Sequence, residues 1–218
     1  MTLLTPAPSM HHLPHFLTSK PGTWSRLLLV GAVYFLLWMA AWYSARLHEQ
    51  LGAASLWFLP AGLRFAVMFV LGWRGLLLEL VTVLAVSAFQ YMASGSAWPA
   101  ALSAQMVWLL LEWMMPVFAY AVVILPLRGL MRSPWDFARP LHNALFLGAA
   151  LASSALAALG GTFGLIQIGV VKAEQFAAVV GSWLVGDFIG IITLSPLLLV
   201  VLWPGLTRYL SRTLAQSG

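Results

Sequence analysis

The chain has 218 residues, 61% of them hydrophobic and only 8% charged, with a mean hydropathy of +0.91 and a formal net charge of +5. That balance excludes a soluble globular domain and describes an integral membrane protein, with too little polar sequence left for an appended kinase, cyclase or nucleotidase domain. The absence of cysteine excludes disulfides, thiolate metal sites and cysteine nucleophiles, and the basic residues sit singly at the ends of apolar segments instead of clustering as nucleic-acid binding would require.

Residues 1–23 are polar and rich in proline and histidine, with no small-residue cleavage site after a short apolar stretch, so they read as a disordered cytoplasmic leader and not a signal peptide. Apolar segments follow at roughly 24–45, 57–72, 75–92, 100–125, 141–161 and 176–203. Against the ~20 residues that about 30 Å of hydrocarbon requires, these predict an all-α polytopic transmembrane bundle of about six spans over 24–203, closed by a short cytoplasmic tail at 204–218. The second segment is the short one. Its ~16 residues reach about 24 Å, so it is expected to be bent or partly sunk from the surface.

Lysines and arginines set the orientation, because they concentrate in cytoplasmic connections. With the N-terminus inside, the inner side receives Lys20, Arg26, Arg74, Arg128, Arg132, Arg139, Arg208 and Arg212, and the outer side only Arg46 and Lys172. Both termini are therefore expected in the cytoplasm of a cell with this protein in its inner membrane. The largest inner connection, "LRGLMRSPWDFARP" at 127–140, reads as a topogenic loop with Trp135 at the lipid headgroups, or as a docking surface for a cytoplasmic partner.

Four charges fall inside the spans: Arg64, Glu79, Glu112 and Asp187. Each costs at least about 2.5–3.5 kcal/mol at the centre of a span, so they should face the bundle interior and find partners. Glu79 lies a few residues beyond Arg74 and is expected to pair with it. Arg64, Glu112 and Asp187 enter from the other side to similar depths, so Arg64 is expected to hold a buried acid, with Asp187 the first choice and Glu112 the second. The carboxylate left over must then be met by a proton, a hydrogen bond or a ligand, in a cavity lined by the second, fourth and sixth helices. Trp108 and Trp113 flank Glu112 and could wall that cavity for a flat or cationic ligand, or anchor the helix at the interface.

The sixth helix carries Ser182, Gly186 and Gly190 every four residues, a stripe of small side chains that lets another helix approach closely, with Asp187 on its border. The fifth offers Ser153, Ala157 and Gly161 at the same spacing and is the expected partner. Pro196 should bend or loosen the sixth helix near the inner face.

Two of these stretches carry a resemblance. "SLWFLPAGLRFAVMFVLGWRG" and "WLVGDFIGIITLSPLLL" resemble the first membrane-associated sensor family, the multi-span domain found ahead of histidine kinases and diguanylate cyclases. Trp57, Pro60, Ala61, Gly62, Trp183, Asp187, Gly190 and Pro196 occupy the corresponding positions. The resemblance implies a sensory domain that signals through a cytoplasmic kinase or cyclase, here expected to be a separate protein because no output domain follows the sixth span. A basic six-helix bundle of this size is also similar to the substrate-binding subunits of energy-coupling-factor vitamin transporters, whose first helix docks a coupling subunit through small residues. Ala41 and Ala45 in "AAWYSA" are the counterpart here.

Other chemistries find no support. His11, His12 and His15 in the leader have a proline among them and no acid or cysteine nearby. His48 and His142 fall on opposite sides of the membrane and cannot share a haem iron. No phosphate-binding glycine loop, serine–histidine–acid set or HExxH motif occurs. The expectation is a non-enzymatic sensory domain without cofactor or metal. It would bind a small molecule or ion through Arg64, Glu112 and Asp187 with Trp57, Trp108 and Trp183, on a framework set by Pro60, Gly62, Gly186, Gly190 and Pro196. Its partners would be the lipid bilayer and a kinase or cyclase, or else a transporter coupling subunit.

Overall fold

The structure is a computed structural model that describes residues 21–46, 49–50, 54–95, 103–131 and 137–201. Six α-helices make up the bundle: α1 (Pro21–Arg46), α2 (Leu59–Leu71), α3 (Trp73–Ala93), α4 (Ala104–Leu130), α5 (Pro140–Gln167) and α6 (Phe176–Val201). Five are long and apolar enough to cross a membrane, and α2 is the exception. Its 13 residues span only about 20 Å. The all-helical expectation holds, qualified by a two-residue antiparallel pairing of β1 (Glu49–Gln50) with β2 (Ala54–Ser55) in the connection between α1 and α2. α1 starts at Pro21, within the expected 1–23 leader. Residues 1–20, including His11, His12 and His15, lie outside the described residues, as do His48, Trp135 and the 204–218 tail.

The shortness of α2 has a structural reason: it is the central helix. Ten of its 13 residues are buried, and Phe65, Met68 and Phe69 are among the most completely enclosed side chains. A helix surrounded by others need not reach both headgroup layers, and its apolar circumference suits that place. Pro60 lies in its first turn, where a missing backbone N–H breaks no helical bond. At the other end Gly72 takes φ +62° and donates its N–H to the Met68 carbonyl. The chain then reverses at once into α3, and Gly75 lies so close to the α2 backbone that a Cβ there would meet the Val67 carbonyl oxygen at under 3.0 Å.

Arg128 finishes this turn. The sequence reading placed it in an inner loop, but α4 continues through Pro126 to Leu130. From there the Arg128 Nε donates to the Phe69 carbonyl at 2.8 Å and Nη2 to the Val70 carbonyl at 3.5 Å. These are last-turn carbonyls of α2, which have no donor within their own helix.

α2 rests on α6 largely through its own backbone. The Phe58 N–H donates to the Gly186 carbonyl at 3.1 Å, and the Ser195 hydroxyl donates to the Gly62 carbonyl at 2.9 Å. A Cβ on Gly62 would meet the Gly190 carbonyl, and one on Gly190 the Phe58 carbonyl, each at under 3.0 Å. Gly186 and Gly190 of the small-residue stripe therefore seat the start of α2, while α6 also packs against α5 as expected, with Trp183 on Gly161. Pro196 lies within α6, which continues to Val201.

Candidate functional site

The buried charges form a relay between helices. Arg64, 4% exposed, donates from Nε to Glu79 Oε1 at 2.6 Å in a fully enclosed ion pair. Glu79 also accepts from the Trp38 indole at 3.2 Å and, through its other oxygen, from the Tyr34 hydroxyl. The Arg64 guanidinium carbon lies 5.1 Å from the centre of the Tyr120 ring, and the Tyr120 hydroxyl donates to Asp187 Oδ2 at 2.9 Å. α1, α2, α3, α4 and α6 thus meet around two acids and one guanidinium.

This corrects two expected pairings. Arg64 holds Glu79, not Asp187 or Glu112, and Arg74 is not the partner of Glu79 but lies over the neighbouring Trp73 ring at 5.6 Å. The reason is the turn at Gly72. Because α3 folds straight back along α2, residues nearly equidistant from Gly72 come level with each other, and Arg64 and Glu79 stand eight residues before and seven after it. Asp187 is fully enclosed, and its Oδ1 meets no hydrogen-bond partner among the described residues; the same holds for the buried hydroxyls of Ser153, Ser154 and Thr162 on α5.

A cavity of about 630 Å³ lies at the end of the bundle where α1, α3 and α5 finish and α2, α4 and α6 begin. Trp38, Trp42 and Arg46 of α1 line it, with Arg64 of α2, Ser87 and Gln90 of α3, Glu112, Trp113 and Pro116 of α4, and Trp183 of α6. It reaches the exposed helix ends at Arg46 and Ser94. Two glycines of α5 make room for its walls. A Cβ on Gly161 would strike the Trp183 indole, and one on Gly164 would strike the Glu112 side chain, both at under 3.0 Å. Gly161 is thus a seat for a tryptophan and not simply a helix-packing residue.

Of the predicted ligand-binding residues, Arg64, Glu112 and Trp183 line this cavity and three do not. Asp187 lies beneath Tyr120, Trp57 is 45% exposed outside the lining, and Trp108 packs edge-on against Phe163 at 5.7 Å. The expected cavity between the second, fourth and sixth helices is a cavity among all six. Sequence reasoning missed Tyr34 and Trp38, although with Ala41 and Ala45 they form a buried stripe at three- and four-residue spacing on α1. That stripe also disposes of the coupling-subunit surface, because Ala41 and Ala45 face into this bundle. Among the described residues no three His, Cys, Asp or Glu side chains converge as metal ligands.

The stretches that carried the sensor resemblance, around Pro60–Gly62 and Gly186–Pro196, are the two that pack against each other backbone to backbone. A family model described as MASE1 matches residues 26–217, nearly the whole chain. The chain belongs to the MASE1 family. No curated protein and no solved structure matches it. MASE1 is a membrane-associated sensor domain, sensory and not catalytic, and with five helices able to cross, this is a multi-pass domain of the inner membrane. In this MASE1 chain the motif glycines Gly62 and Gly190 hold α2 against α6, while Arg64, two residues from Gly62, faces both the relay and the cavity.

Proposed function

We propose that this MASE1 domain recognises a small ligand in the cavity at the Arg46 end of the bundle and conveys its occupancy to a cytoplasmic kinase or cyclase. The observation that carries this reading is the double membership of Arg64 and Trp38, which line the cavity and also hold Glu79. The cavity volume falls in the range of small-molecule sites, and its mix of indoles with a few polar groups is typical of them. A ligand packed against Arg64 or Trp38 displaces groups that hold Glu79. Any resulting shift of α2 is passed directly to α6, because at Gly62 and Gly190 backbone meets backbone with little slack to absorb it. The domain catalyses nothing in this reading, and its termini are assigned to the cytoplasm, since among the described residues Arg46 and Lys172 are the basic side chains at the cavity end while Arg74, Arg128 and Arg139 gather at the other.

The test is purification of the tagged chain from native membranes, followed by assay of what accompanies it. A histidine kinase or diguanylate cyclase should co-purify, and plugging the cavity with Ser87→Trp should lock its activity at one level. An ATPase with a transmembrane coupling subunit would assign the domain to uptake, and partner activity indifferent to Ser87→Trp would contradict the role of the cavity.

A further inference from the structure

The charge arrangement of the cavity selects among ligands, and from it we infer, resting on the ligand-binding reading above, that the occupant is an organic cation whose ammonium group is held by Glu112. Glu112 lies about 12 Å along α4 from its start, well below the cavity mouth. It is the acid of the cavity wall, and no ion pair or hydrogen bond engages it among the described residues. The arginine at comparable depth cannot serve it, because the Arg64 charge is already met by Glu79 at 2.6 Å. Arg46 stands at the exposed rim, its guanidinium 4.8 Å from the centre of the Trp42 ring.

An anionic ligand would therefore meet an unmatched carboxylate at depth and find positive charge only at the rim. A neutral ligand would leave that carboxylate to be met by a proton alone. A cation matches it, and Trp113 and Trp183 in the same lining supply indoles of the kind that attract ammonium groups. The same lining already holds a cation in this way, Arg46 over Trp42. Gly164 adds a second, independent observation: any side chain there would displace the Cβ and Cγ of Glu112, so α5 is cut back to seat the root of this side chain. The ammonium can belong to a soluble amine or to a lipid headgroup.

Calorimetric titration of the full chain in a neutral maltoside detergent distinguishes the outcomes, with 2-phenylethylammonium, 2-phenylethanol and phenylacetate as probes of one shape and three charges. The cation should bind at least about tenfold more tightly than the alcohol, and the anion least well, the range expected when a charged group loses or gains a charged partner. Glu112→Gln should remove that preference, and Gly164→Ala should weaken the cation selectively. Adding phosphatidylethanolamine should weaken the amine if the natural occupant is a headgroup, and leave it unchanged if it is soluble. Equal binding of all three probes, or tighter binding of phenylacetate, would overturn the cation assignment while leaving the cavity a ligand site. Failure of every probe to bind would overturn both.

Discussion

Arg64→Ala should be among the most destabilising single truncations of this bundle. It leaves Glu79 fully enclosed, with only the Tyr34 hydroxyl and the Trp38 indole as partners, and a buried charge stripped of its counter-ion typically costs about 3–5 kcal/mol. Glu79→Ala should cost a similar amount by stranding the guanidinium above Tyr120. The double variant Arg64→Ala/Glu79→Ala should recover a large part of the summed loss, since neither charge then remains. The parallel cycle of Arg64 with Asp187 should show much weaker coupling, because Tyr120 lies between them. Melting temperatures or unfolding titrations in detergent read both cycles. Additivity in the Arg64–Glu79 cycle, or stronger coupling to Asp187, would show that the ion pair is placed wrongly.

Gly190→Ala and Gly62→Ala should each disrupt the bundle although they add a single methyl group. At both positions the obstructing atom is a backbone carbonyl oxygen of the facing segment, so relief requires α2 and α6 to separate, with strain on the Phe58–Gly186 and Ser195–Gly62 hydrogen bonds. Overpacking of a tight core costs roughly 1–3 kcal/mol and more where backbone must move. Gly148→Ala is the control, since nothing lies within 4 Å of a Cβ there, and an alanine within α5 should be neutral or stabilising by up to about 1 kcal/mol. Equal melting temperatures for Gly190→Ala and Gly148→Ala would mean that the α2–α6 contact is loose.

The helices were legible in the sequence because hydrocarbon imposes a minimum apolar length, and five of the six predicted segments meet it. The second failed the length test in the sequence as it does in the structure. The shortness leads to the expectation of a helix bent or partly sunk from the surface, whereas in the structure α2 is the central helix with ten of its 13 residues buried. The buried charges were legible as individuals but not as a network. Depth counting compared Arg64 with acids on distant helices and overlooked the hairpin, where Gly72 makes position 79 the mirror of position 64. The indole and phenol around Glu79 were unreadable for a different reason: in so apolar a chain, Tyr34 and Trp38 look the same as aromatic residues that anchor at the interface. The glycines showed the reverse difficulty. Their small size was evident, but what each one accommodates, a carbonyl at Gly62 and Gly190, an indole at Gly161, a carboxylate-bearing chain at Gly164, depends on the facing helix.

The central claim is that a water-accessible cavity opens between the helices on the outer face of the membrane. Because the chain has no cysteine, Ser87→Cys on the cavity wall gives a single labelling site without further changes. A membrane-impermeant maleimide applied to sealed right-side-out vesicles should modify it, and the same reagent applied to inside-out vesicles should not. Labelling from the cytoplasmic side alone would invert the bundle, and no labelling from either side would mean that the cavity is closed to water.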